Sequence, residues 1–181
     1  MPAARRVVAS LLPLVLVLLA HTASAAEGEK SLGFGIDYAT WNVKQDHKGT
    51  DEDSVTAQGA QLAGEYEYGW NDTIWLRASV SGGYFSVPKG AAWSTSATIG
   101  ITYALDVLRY VPLLHAGVGA QFFGGDGVDT QVKPVVEIGL GLAVLEGRTF
   151  SWGLVASFDT YPSEAVFFTV GPRLTWRWGY F

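Results

Sequence analysis

The sequence predicts an all-β chain, an eight-stranded antiparallel up-and-down barrel that crosses a membrane, and three observations predict it. Eight segments of strand length alternate oily and polar residues with a period of two. Every charge inside those segments falls on the polar phase. The last segment ends in a row of aromatics, the residues that settle at a membrane–water interface.

The last segment carries the pattern most plainly. Val166, Phe168, Val170, Leu174, Trp176, Trp178 and Tyr180 share one phase, and Thr169, Gly171, Arg173, Thr175 and Arg177 the other. The eight segments are 32–43, 55–68, 73–86, 92–104, 112–123, 132–145, 150–161 and 166–180, separated by Gly, Asn, Asp and Pro. Each reaches the roughly 9–11 residues a tilted spanning strand needs. In the second, Ala60, Leu62, Gly64, Tyr66 and Tyr68 oppose Gln61, Ala63, Glu65 and Glu67. In the third, Ile74, Leu76, Ala78, Val80 and Tyr84 oppose Arg77, Ser79 and Ser81. The remaining strands repeat the scheme, with Asp37 against Phe34 and Ile36, Glu137 against Ile138 and Leu140, and Asp159 against Leu154 and Phe158. An arginine on the lipid side at the bilayer midplane would cost roughly 2–4 kcal/mol. Arg77 and Arg173 therefore set the register of their strands.

The N-terminus reads as a secretory signal peptide. Arg5 and Arg6 form a basic start, Val7 to Ala20 an apolar run, and Ala23-Ser24-Ala25 a small-residue cleavage pattern. The expected division is residues 1–25 as signal peptide and 26–181 as barrel. The apolar run is short for a spanning helix and contains Pro13. No later apolar run reaches about 18 residues, and without helices only a closed barrel satisfies every backbone group inside lipid.

Composition agrees. Charged residues are 16% and aromatics 13% of 181 residues, with 22 glycines and no cysteine. The absence of cysteine excludes a disulfide framework and a lipoprotein anchor. The formal net charge of −5 falls further once Arg5 and Arg6 leave, and an acidic chain without a basic patch argues against a nucleic-acid partner.

With both termini periplasmic, the outer loops are 44–54, 87–91, 124–131 and 162–165. The turns at 69–72, 106–111 and 146–149 then face the periplasm. Apart from the first, the outer loops are short.

At this point the chain resembles the small bacterial outer-membrane barrels of the opacity-protein and OmpA-transmembrane-domain type. The assembly signal of that group has the form polar-x-Gly-x-x-hydrophobic-x-hydrophobic, and Thr169, Gly171, Leu174 and Trp176 fit it. Phe181 supplies the terminal aromatic, although it falls out of phase with Trp176, Trp178 and Tyr180. Either the strand bulges at Gly179 or the internal motif carries the signal. Pro172 donates no ladder hydrogen bond, and a bulge is expected near Gly171-Pro172. The resemblance implies the bacterial outer membrane, membrane lipid and the barrel-assembly machinery as partners, and a monomer.

The inward charges Asp37, Glu65, Glu67, Arg77, Lys133, Glu137, Asp159, Arg173 and Arg177, with His115 beside them, read as a lumen network. An eight-stranded interior is just wide enough to be filled by side chains. If Glu65 stands opposite Arg77, the two meet inside. Such a plug predicts that Glu65→Ala or Arg77→Ala raises conductance. The competing reading is a gated ion or proton path.

Other constellations carry less. Gly124 to Asp129 match the start of a calcium-binding nonapeptide, but that chemistry needs stacked copies and there is one. Asp46, Asp51, Glu52 and Asp53 crowd the first outer loop without EF-hand spacing and read as solvated. His47 and His115 are the histidines beyond the signal peptide, and neither sits in a nucleophile motif. No enzyme activity, cofactor or metal is expected. The expected role is non-enzymatic, in envelope structure or surface contact. The alternatives are a narrow pore or carrier for a small solute and, third, a soluble lipocalin-like ligand-binding barrel.

Overall fold

A computed structural model describes residues 27–44, 54–87, 90–105, 109–126, 128–160 and 166–179. The first 26 residues, with the expected signal peptide, lie outside the described residues, as do most of the first outer loop and Phe181. The described residues form eight strands: β1 Lys30–Lys44, β2 Ser54–Gly69, β3 Ile74–Val87, β4 Gly90–Ala104, β5 Tyr110–Gly125, β6 Val128–Leu145, β7 Phe150–Thr160 and β8 Val166–Trp178. Each pairs antiparallel with its sequence neighbours, and β8 pairs with β1 to close the barrel.

The strands follow the expected segments closely. They run 11 to 18 residues, so the longer ones outreach a hydrocarbon layer. The loop expected over 124–131 shrinks to two residues, because β5 continues to Gly125 and β6 begins at Val128. The first short turn is built by Asn71, whose side-chain oxygen accepts from the backbone N–H groups of Thr73 and Ile74 at 2.9 and 2.8 Å. The third is clasped by Arg109 donating to Glu146 at 2.7 Å, which holds the Glu146 carboxyl below the usual carboxylate range.

The bulge expected at Gly171-Pro172 is absent. The β7–β8 register runs unbroken from Phe150↔Trp176 to Thr160↔Val166. On the other side the β1–β8 register keeps one offset, with pairing interrupted only between Gly35↔Arg173 and Tyr38↔Val170. Pro172 is accommodated by missing bonds rather than by an extra residue. The register shift in this barrel lies between Phe123 and Gly125, at the β5–β6 hairpin.

Polarity is inside-out. Ile36, Leu62, Val80, Ile99, Leu114, Ile138, Leu140 and Leu154 are all more than half exposed and ring the wall. Asp37, Arg77, His115, Glu137 and Arg173 are buried in the lumen. Aromatics gather at the edges of the belt. Near the short turns Tyr66 packs beside Trp178, and Phe150 and Phe34 beside Trp176. Near the loops stand Tyr38 and the cross-strand pair Tyr84 and Trp93.

Candidate functional site: the lumen

The lumen is layered. Its middle is ionic. Arg77 on β3 donates through Nε to Glu65 Oε2 at 3.2 Å and through Nη1 to Glu137 Oε1 at 2.9 Å. Thr98 Oγ1 donates to the other Glu137 oxygen at 2.6 Å. His115 Nε2 lies 3.3 Å from Glu137 Oε1 and 3.1 Å from Ser157 Oγ. Arg173 contacts Asp37 and Glu65 at the longer distances of 3.7 and 3.6 Å. Glu67 accepts from Thr102 at 2.6 Å and Ser31 at 3.1 Å. Charge-assisted bonds at such burial tie strands that are not neighbours in the sheet.

The residue opposite Arg77 is Glu67, not Glu65, whose own partner across the ladder is Ser79. Glu65 reaches Arg77 diagonally, as long side chains two positions off in register do. The expected ion pair forms, by a different geometry from the expected one. Gln61, not singled out as a ligand, donates to Asp37 at 3.4 Å. Asp159 points into the lumen but makes no ion pair among the described residues, and its Oδ1 has no hydrogen-bond partner there. Arg177 sits at the turn end with its guanidinium 5.7 Å over the Trp75 ring.

Glycine makes room for these groups. A methyl group at Gly33 would stand 2.6 Å from Glu65 Oε1, and one at Gly35 2.9 Å from the Arg173 guanidinium carbon. His115 lies across Gly139 in the same way, against its cross-strand partner. Glu65, Arg173 and His115 thus each occupy the space above a glycine on a neighbouring strand. The glycine content was visible in the composition, but its placement in the lumen needed the register.

The lumen expected to be a polar plug is apolar at both ends. Toward the loops Trp41, Phe85, Phe123 and Phe167 point inward and pack with Ala39, Ala57, Ala92 and Val135. Their ring centroids lie 5.0 to 6.4 Å apart. Toward the short turns Trp75, Ala104, Val111 and Ala143 form a second apolar cluster, with Leu113 and Leu145 packed against it. The signal was present in the sequence. Trp41 is in phase with Asp37, Phe85 with Arg77, Phe123 with His115 and Phe167 with Arg173.

Between these layers are two water-sized spaces. One, of about 40 Å³, lies turnward and is lined by Glu67, Arg77, His115 and Ser151. The other, of about 30 Å³, lies loopward among Asp37, Gln61, Ser157 and Asp159. A water needs on the order of 10–15 Å³ by this measure. Water therefore suits Asp37 Oδ1 and Arg173 Nη1, buried atoms with no partner among the described residues.

Of the assembly-signal residues, Thr169 is buried in the lumen and Leu174 and Trp176 face outward. Gly171 presses against the Ile36 carbonyl and Asp37 across the closing seam, leaving no space for a side chain. Gly179 follows the strand with φ of 93°.

An oily belt, aromatic edges and a sequestered ionic interior define an integral membrane β-barrel with eight strands. No protein-family model matches the chain, and no curated protein matches it in sequence. Solved structures do match it in fold. Neisserial surface protein A gives a TM-score of 0.67 at 10% identity, over 83% of this chain and 99% of that one. OprG from Pseudomonas aeruginosa gives 0.62 at 10% identity, over 87% and 99%. Ail, the attachment invasion locus protein of Yersinia pestis, gives 0.51 at 19% identity, over 84% and 99%. The fold is that of the eight-stranded bacterial outer-membrane barrels, and the chain carries the lipid-facing surface that location demands.

Proposed function

We propose that this chain is a non-enzymatic, monomeric outer-membrane protein whose lumen is closed and whose role is structural or by surface contact. The observation that carries the reading is the double seal. The ionic middle is bounded loopward by Trp41, Phe85, Phe123 and Phe167 and turnward by Trp75 and Val111. A solute would have to break ion pairs and push through both apolar layers. Membrane lipid is the partner of the belt, and the barrel-assembly machinery is the partner of β8 during insertion. A soluble ligand-binding barrel would bury its oily phase, and this chain exposes it.

Catalysis finds no support in the lumen. His115, Ser157 and Glu137 have the composition of a hydrolytic triad, but serine and carboxylate both approach the same ring nitrogen, Nε2. A triad uses the two nitrogens separately, one to orient the ring and one to take the proton.

The second reading, a narrow pore or carrier, is favoured by the two water-sized spaces on either side of the Arg77 layer. Single-channel recording on the refolded chain separates the two. The closed reading expects no sustained current in a planar bilayer, and a steady unitary conductance overturns it.

A further inference from the structure

The outer wall carries a notch that the fold does not require. Across β1 to β4 the register sets Ile36, Leu62, Gly82 and Thr95 in one outward-facing row. Tyr38, Ala60, Tyr84 and Trp93 form the next row toward the loops. The short residues Ala60, Gly82 and Thr95 leave a groove of about 380 Å³, walled by Ile36, Leu62 and Tyr84. Trp93 lies beside Gly124 on β5, its ring atoms 3.2 and 3.3 Å from where a Cβ there would stand. The groove's volume falls in the roughly 300–1,000 Å³ range of small-molecule sites, whereas the two spaces inside the barrel are no more than water-sized.

Gly82 is the informative residue. Its φ is not in the left-handed region. A Cβ at this position would meet nothing nearer than Thr95 Cγ2, at 3.4 Å, an ordinary contact. Its neighbour Gly83 faces the lumen and differs: a Cβ there would stand 2.5 Å from the Ala60 carbonyl oxygen and 2.6 Å from Gln61 Cβ. Packing demands Gly83 and does not demand Gly82. The β3–β4 ladder also passes Gly82 without a register shift, so no bulge accounts for it. A strand-interior glycine sacrifices entropy and packing, and outside bulges and bends it is often found where a ligand or another backbone approaches closely. Here the nearest backbone atom to a Cβ would be the Ser94 carbonyl oxygen at 3.7 Å, so no backbone approach requires the glycine.

We propose that the groove over Ala60, Gly82 and Thr95 binds one acyl chain of a membrane lipid. The groove is continuous with the lipid-facing belt, so hydrocarbon is the medium in contact with it. Left empty, its walls would forfeit dispersion contacts, and a flexible methylene chain lying between Leu62 and Tyr84 restores them. Tyr84 and Trp93 stand at the loopward edge of the belt, at headgroup level, so the chain enters from the leaflet on that side. The inference rests on the membrane reading above and adds to it a defined lipid site.

The test is native mass spectrometry of the protein purified from membranes in a mild detergent, with folding of each variant checked by heat-modifiable gel migration. Gly82→Phe fills the groove, Thr95→Leu narrows it, and Ala116→Phe adds bulk to the outward face of β5 as a control. Wild type and Ala116→Phe are expected to retain one lipid. Gly82→Phe is expected to lose at least ten-fold of the lipid-bound fraction, and Thr95→Leu to lose a smaller share of it. Thr95→Leu keeps the test decisive should Gly82→Phe not fold. Equal retention by all variants overturns the site. A wild-type dimer that Gly82→Phe dissolves overturns it in favour of a second copy of the chain. Protein that stays folded and soluble without detergent overturns the membrane reading itself, a result distinct from the other two.

Discussion

Arg77 and Glu137 stand on β3 and β6, yet Nη1 of the arginine donates to Oε1 of the glutamate at 2.9 Å inside the lumen. The positions between them in the same cross-strand row are Gly100 and Gly117, so no side chain intervenes. A Cβ at Gly100 would stand 2.6 Å from the Gly117 Cα, which keeps that stretch of wall free of side chains. The inner face of the wall is bare where the ion pair passes over it.

Arg77→Ala leaves Glu137 buried without a guanidinium and Glu65 with only the longer Arg173 contact. Breaking a buried pair from one side costs about 3–5 kcal/mol, whereas replacing all partners by neutral groups of similar size costs far less. Equilibrium urea unfolding in lipid vesicles should show the large loss for Arg77→Ala. Most of it should return in Arg77→Met combined with Glu65→Gln and Glu137→Gln. Wild-type stability in the single variant would mean the ion layer holds nothing together.

Gly33→Ala pushes a methyl group into the Glu65 side chain, the three nearest atoms to it. Overpacking of this kind costs about 1–3 kcal/mol. Because the three nearest atoms all belong to Glu65, Glu65→Ala should remove most of the penalty of Gly33→Ala. The two substitutions should therefore be non-additive in a double-mutant cycle. Strict additivity would place Glu65 elsewhere.

The apolar seals change what conductance measurements should show. Glu65→Ala or Arg77→Ala alone opens the ionic layer but leaves Trp41, Phe85, Phe123 and Phe167 across the loop end. Either single variant should raise current only slightly. Arg77→Ala combined with Trp41→Ala and Phe85→Ala should give a larger, longer-lived conductance. A full current from Arg77→Ala by itself would show that the aromatic layer does not bar passage.

Gly171 belongs both to the assembly motif and to a close approach between β8 and β1. Unassisted refolding into vesicles separates the roles, since no assembly machinery is present. Gly171→Ala should slow or prevent closure there, because its methyl group meets backbone. Leu174→Ser, on the outward face, should refold with much less impairment and fail mainly in assisted insertion. Normal unassisted refolding of Gly171→Ala would leave recognition as the sole reason for that glycine.

The strands, their order and their orientation to lipid were legible in the sequence because they rest on a local rule. Successive strand side chains face opposite ways, and a misplaced Arg77 or Arg173 would be heavily penalised in hydrocarbon. The inward aromatics were legible too, since Trp41, Phe85, Phe123 and Phe167 are in phase with Asp37, Arg77, His115 and Arg173, but the inward phase was read for its charges alone. Pro172 misled for a related reason. It removes one donor, which predicts a bulge, yet the seam tolerates a few missing bonds and keeps its register.

By itself, then, the sequence determined a barrel with an oily outside and an ionic inside, since backbone geometry and the cost of charge in lipid act residue by residue. Tertiary structure alone decided which groups meet. Closure brings Arg77 to Glu137 across two glycines, lays Glu65 over Gly33, stacks four rings beneath the loops and opens the notch at Gly82. Those outcomes depend on register and strand tilt summed around the whole wall, and no single strand carries that information.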